Sequence, residues 1–166
     1  MRPNGWAMGT ALIAALVASL PIDAAAKPKQ TVSALISGHK LNLKNKQIDP
    51  RSAVAGAGGI DIAAGSKVHH LGQTVKALVV TCAAGPLTGG TLPGPGQTCT
   101  VAYMETKLGR HPTSREWSTS PGGATVTFTS FDGTRVQGTF AGTLDAVYGA
   151  TGSVTVTNGT FDILVS

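Results

Sequence analysis

Cys82 and Cys99, the two cysteines of this 166-residue chain, are the first residues whose spacing implies chemistry. Set opposite each other on antiparallel strands, they put Val80 against Val101, Leu78 against Tyr103 and Lys76 against Glu105. One register then serves a disulfide, two apolar pairs and an ion pair. A redox-active pair would need the close C-x-x-C spacing that lowers a thiol pKa, and that spacing is absent. The expectation is a structural disulfide that closes the Gly- and Pro-rich stretch between the two residues and stabilises by about 3 kcal/mol in the chain-entropy picture.

Other constellations are weaker. Of His39, His69, His70 and His111, the adjacent pair would point to opposite faces of a strand, and no further ligand stands at metal spacing, so no metal site and no cofactor are expected. No G-x-S-x-G elbow is present for a serine nucleophile. Glu105, Glu116 or Asp145 could assemble in space into a carboxylate pair for glycan cleavage, but nothing in their spacing requires it, and no residue is assigned a catalytic role. Gly56, Gly58 and Gly59 lack the strand-loop-helix frame of a phosphate loop. Asn158-Gly159-Thr160 matches a glycosylation sequon, yet a turn already accounts for it.

The densest mixed group is Arg110, His111, Arg115, Glu116 and Trp117, in a stretch read as irregular from Thr106 to Gly123. Arg110, Arg115 and Trp117 are the candidate ligand or partner contacts, with Trp117 as a stacking anchor. Trp117 could equally plug one end of the core, the favoured reading in a chain so poor in aromatics. Charge is uneven: Lys27, Lys29, Lys40, Lys44, Lys46, Arg51, Lys67 and Lys76 face only Asp49 and Asp61 in the first half of the domain. Scattered lysines read as a solvated basic face that could also attract an anionic envelope polymer such as lipopolysaccharide. Nucleic acid is not an expected partner, because no aromatic platform interleaves the lysines.

The scaffold for these side chains begins after an export signal. Arg2 precedes an uncharged run from Ala7 to Leu20, Pro21 breaks it, and Ala24-Ala25-Ala26 supplies a small-residue cleavage site. The apolar run is shorter than the roughly 20 residues that span a bilayer, so residues 1–26 read as a signal peptide cleaved before Lys27. No transmembrane anchor is expected in the mature chain, which would be periplasmic or secreted. Residues 27–166 have the size of one domain. Gly, Thr, Val and Ala in alternating patterns predict an all-β fold, a single antiparallel sandwich or curved barrel of about eight or nine strands.

The alternation places strands at 31–37, 40–44, 60–63, 73–82, 98–105, 124–130, 135–144, 152–157 and 160–165. Ala77 to Val80 reads as buried on both faces, and residues 83–97 as irregular. Gly38-His39 is read as the first turn. A type I′ turn at Asn158-Gly159 would pair Val156 with Phe161, and a three-residue loop at 131–133 would pair Phe128 with Val136 and Ala124 with Phe140. Val136, Gly138, Phe140, Gly142 and Leu144 then face inward, their glycines allowing the sheet to coil. No repeat, long helix or second domain is visible.

Three segments, Gly123 to Phe128 with Asp132-Gly133, Arg135 to Leu144, and Val154 to Ile163, together with the weaker Val32 to Lys40, resemble a family of small exported bacterial β-domains of unknown function. Many of its members are lipoproteins, and this chain lacks their lipidation cysteine. The resemblance implies a compact antiparallel sandwich or barrel and carries no chemistry. The leading functional expectation is a non-enzymatic binding module for a small apolar ligand or an anionic envelope component. The alternatives are an envelope glycan-acting enzyme and an interaction domain that works by β-strand addition.

Overall fold

A computed structural model describes residues 29–48, 59–68, 70–83, 90–92, 98–132 and 134–164. The signal-peptide reading, the glycines at 56 and 58, and His69 lie outside them. The strands are β1 (Thr31–Ile36), β2 (His39–Lys44), β3 (Gly59–Gly65), β4 (Thr74–Ala83), β5 (Gly90–Leu92), β6 (Cys99–Lys107), β7 (Thr113–Ser118), β8 (Ala124–Phe131), β9 (Arg135–Tyr148) and β10 (Ser153–Leu164). A 3₁₀ turn, Asn45–Gln47, is the one helical element among the described residues.

The fold is all-β: one antiparallel sheet with a main path of β2-β1-β10-β9-β7-β6-β4-β3, while β8 pairs with β9 and carries β5. The sheet curls into a half-barrel. A lone bridge from Ile48 to Ala64 ties the chain just past β2 to β3, at the far end of the path. Inside the curl, alternate residues are buried, among them Val32, Leu43, Ile62, Leu78, Val101, Val126, Leu144, Phe161 and Ile163. Each such side chain withdrawn from water contributes about 1.5–3 kcal/mol. The edge strand β2 turns Lys40, Asn42 and Lys44 to solvent, which discourages pairing with another chain.

The long strand β9 organises the sheet, with β10 along one side and the other side shared between β8 and β7. Between those two strands lies Thr119, the one buried polar residue of the described chain; its hydroxyl accepts the Val101 N–H at 3.0 Å. The β4–β6 register is the expected one: Cys82 opposes Cys99, Val80 Val101, Leu78 Tyr103 and Lys76 Glu105. The cysteine sulfurs are 2.18 Å apart, joined as a disulfide on the buried face.

Several local expectations are corrected. The first turn is Ser37-Gly38, with φ of 46° and 83°, so Ile36 pairs with His39. In the β8–β9 hairpin Phe128 opposes Gly138 and Ala124 opposes Gly142, two residues from the expected register. The Asp132 carboxylate collects the N–H groups of Thr134 and Arg135 at 2.8 and 2.7 Å, and a bulge between Phe128 and Ser130 takes back one residue of a three-residue offset at the turn, which leaves two. A shift of two residues keeps each side chain on its face, so Val136, Gly138, Phe140 and Leu144 are buried as expected and Gly142 is half-buried. A Cβ on Gly138 would collide with the Phe161 ring and the Thr127 carbonyl.

No turn forms at Asn158-Gly159. β10 runs through it as one central strand, with β1 on one edge and β9 on the other. The left-handed residue is Asn158, with φ 50°, and it serves a bulge between Val156 and Gly159. Two flanking ladders outweigh the local preference of an Asn-Gly pair for reversing the chain. The stretch 106–123 also holds a strand, β7, and 83–97 holds β5, paired with β8. Of the run Ala77 to Val80 only Leu78 and Val80 are buried, while Ala77 and Val79 are half-exposed.

Candidate functional site

The antiparallel ladder fixes which strand ends lie together. At one end are the β1–β2 turn, the β3–β4 loop, the β6–β7 loop and the β9–β10 turn, because Ile36 pairs with Val156, Ser153 with Asp145, Glu116 with Tyr148, and Lys107 with both Thr113 and Thr74. A partly enclosed cavity of about 210 Å³ opens there between the β1–β2 hairpin and strands β4, β6, β7 and β10.

Its apolar wall is made by Tyr103 and Trp117, with Ile36, Leu41 and Val154. The two rings stack with centroids 5.8 Å apart and planes inclined by 25°. Alternation puts Trp117 on the inner face of β7 directly opposite Tyr103 of β6. The indole N–H reaches the Thr151 carbonyl at 3.4 Å, which ties the ring to the β9–β10 turn. Trp117 is 6% exposed, so the core-plug reading is the correct description of its packing, while its ring still lines the cavity.

The polar wall centres on Glu105. Its Oε1 accepts the Tyr103 hydroxyl at 2.6 Å, and its Oε2 accepts Arg115 Nη2 at 2.6 Å. Lys76 Nζ stands 3.7 Å from Oε1. Burial alone would push the Glu105 carboxyl up, but the Tyr103 hydrogen bond and the Lys76 and Arg115 charges together hold it below the ordinary glutamate range. Burial, then the hydrogen bond to Glu105, pushes the Tyr103 phenol up, so it remains a donor. The Arg115 guanidinium also lies 5.5 Å from the Trp117 ring centre, a cation–π contact. His39 and Lys40 complete the rim, and Lys40 is exposed. Three basic side chains, Lys40, Lys76 and Arg115, thus meet one carboxylate, which leaves a positive balance beside an aromatic floor.

Of the three candidate contacts, the fold brings Arg115 and Trp117 together in the cavity and leaves Arg110 exposed in the β6–β7 loop. The carboxylates do not converge: Glu105 is on the inner face, whereas Glu116, opposite Met104, and Asp145, next to buried Leu144, alternate to the outer one. His39, His70 and His111 are exposed, and the described residues contain no group of three metal-ligating side chains. Tyr103 is a site residue that sequence reading missed, and Lys40 enters that reading only as one of the scattered lysines of the basic face. For Tyr103 the signal was available, since it stands two positions before Glu105 and therefore shares its face. A larger and more open groove on the outer face, about 520 Å³, has a floor of Ala63, Ala77, Val79 and Met104 with Lys46 and Lys67 on its rim.

No helix among the described residues is long and apolar enough to cross a membrane. No protein family, curated protein or solved structure matches the chain.

Proposed function

We propose that this domain is a non-enzymatic binding module that works in the periplasm or outside the cell, and that its end cavity takes a small anion with an apolar or aromatic body. The observation that carries the reading is the meeting of the Tyr103–Trp117 stack with three cations and a single carboxylate. The aromatic wall would cover the ligand's body by stacking and apolar contact. Its anionic group would lie toward Lys40, an exposed cation of the rim, with Arg115 and Lys76 held in place by Glu105. The volume is below the roughly 300–1,000 Å³ of sites for drug-sized molecules, which favours a ligand of one ring or a short chain. The Cys82–Cys99 disulfide, together with the signal-like order of residues 1–26, supports an oxidising compartment.

Phenylacetate and its neutral analogue phenylacetamide separate charge from shape. Titration followed by the fluorescence of Trp117 is expected to give a saturable change with the acid and a response about tenfold weaker with the amide, which is the loss of one charge-assisted contact. Lys40→Gln is expected to weaken the acid and leave the amide unchanged. Equal responses to acid and amide would contradict an anion site.

A further inference from the structure

Five large hydrophobic side chains are exposed among the described residues, and four of them lie at one end of the sheet: Val68 (64%), Leu71 (81%), Val147 (65%) and Tyr148 (66%). Single exposed apolar residues are ordinary, but their gathering at one end is not. Val68 and Leu71 occupy the β3–β4 loop, and Val147 and Tyr148 close β9. Between them in the sheet order lies the β6–β7 loop, joined to the β3–β4 loop by Gly72 N–H to the Leu108 carbonyl at 2.7 Å and Leu108 N–H to the Gln73 carbonyl at 2.9 Å.

The exposed charges of the two loops have one sign: Lys67 precedes Val68, Lys107 ends β6, and Arg110 stands on the intervening loop, all exposed, while the carboxylates of this end, Glu105 and Glu116, lie further along β6 and β7. Neither loop contains an acidic residue. Arg110, which the cavity leaves unused, belongs to this set.

We propose that this end of the half-barrel docks on an anionic phospholipid bilayer, with Leu71 and Tyr148 entering the interface and Lys67, Lys107 and Arg110 meeting the headgroups. Isolated apolar tips on separate loops suit a deformable interface better than a protein partner, which demands one contiguous complementary patch. Tyrosine with its polar tip settles at headgroup depth, and basic side chains beside it add attraction to anionic lipid. The inference goes beyond the cavity reading and stands on different residues.

The test is flotation of the full chain with phosphatidylcholine vesicles and with equimolar phosphatidylglycerol–phosphatidylcholine vesicles, all variants sharing the same N-terminus. Any affinity of the apolar run at residues 7–20 is then common to every sample, and the loops account for the differences. The parent is expected to bind the anionic vesicles more tightly, by about tenfold or more at low salt, and to lose that advantage as salt rises. Lys67→Gln/Lys107→Gln/Arg110→Gln is expected to abolish the advantage. Leu71→Ser/Tyr148→Ser should weaken binding to anionic vesicles about tenfold while the thermal midpoint stays at the parent value. Leu71→Trp is expected to show quenching by brominated lipid beyond that of the parent, whose Trp6 and Trp117 are common to both. Unchanged binding in both multiple variants, no added quenching in Leu71→Trp, or a parent that prefers a soluble polyanion to vesicles would each overturn the proposal. Phenylacetate titration of the same variants is expected to match the parent, so the cavity reading and the docking proposal can fail separately.

Discussion

The Tyr103 hydroxyl donates to Glu105 Oε1 over 2.6 Å, from a ring that is itself stacked on Trp117. The bond joins the polar wall of the cavity to its aromatic wall and makes Glu105 a structural acceptor. Tyr103, Lys76 and Arg115 overcome the opposing effect of burial and lower the Glu105 pKa on folding, so its contribution to stability is present above the unfolded glutamate value of about 4.3 and is lost as pH falls through the lower folded value. Urea midpoints of the parent and Glu105→Gln are therefore expected to differ most near neutral pH and to converge in the acid range. A gap that stays constant down to full protonation would contradict the network.

Cys82 and Cys99 are 17 positions apart, and joining them restricts the unfolded chain. Replacing both with alanine is expected to lower stability by about 3 kcal/mol. Phenylacetate binding should persist below the lowered thermal midpoint, because the pair is buried at the opposite end of β4 and β6 from the cavity. Mass spectrometry without reductant should find the parent lighter by two hydrogens than the reduced form. Two freely alkylated thiols in the folded protein would refute the bond.

Asn158 and Gly159 have separate jobs in β10. Asn158 carries the positive φ of the bulge, whereas a Cβ on Gly159 would run into the Phe140 carbonyl and ring. Asn158→Gly is expected to stay within about 1 kcal/mol of the parent, since glycine accepts that φ without strain. Gly159→Ala should cost about 1–3 kcal/mol through overpacking, and Gly159→Val more. Chemical denaturation distinguishes the two positions, and an Asn158→Gly variant as unstable as Gly159→Ala would contradict the bulge.

Trp117 and Arg115 should divide between stability and binding. Trp117→Ala removes a buried ring and is expected to cost about 3–5 kcal/mol. Arg115→Gln removes a largely exposed partner of Glu105 and is expected to cost less than about 1 kcal/mol while weakening phenylacetate. Denaturation curves and titrations on the two variants test the division, and an Arg115→Gln protein that binds like the parent would remove that residue from the site.

What could be read without the fold was whatever a residue and its opposite had to satisfy together. The Cys82–Cys99 register emerged because a one-residue slip would have placed Lys76 and Glu105 on the wrong partners. The inner face of β9 emerged because a two-residue error preserves the face. Asn158-Gly159 misled because a preference for positive φ is shared by turns and bulges, and only the neighbours on both edges of β10 decide between them. β7 was hidden in Thr113 to Ser118, a polar stretch whose strand identity comes from β6 and β9. The cavity was hidden for a related reason, since it exists only once the sheet's curl brings the β1–β2 hairpin over Tyr103, Glu105, Arg115 and Trp117.

The most direct test of the end cavity is an amide and indole NMR titration of the folded protein with phenylacetate and phenylacetamide. The account predicts saturable shifts confined to residues 36–41, Tyr103, Glu105, Arg115, Trp117 and Val154, including the Trp117 indole N–H, and larger with the acid. Shifts centred on the outer groove at Val79 and Met104, or none that saturate, would contradict it.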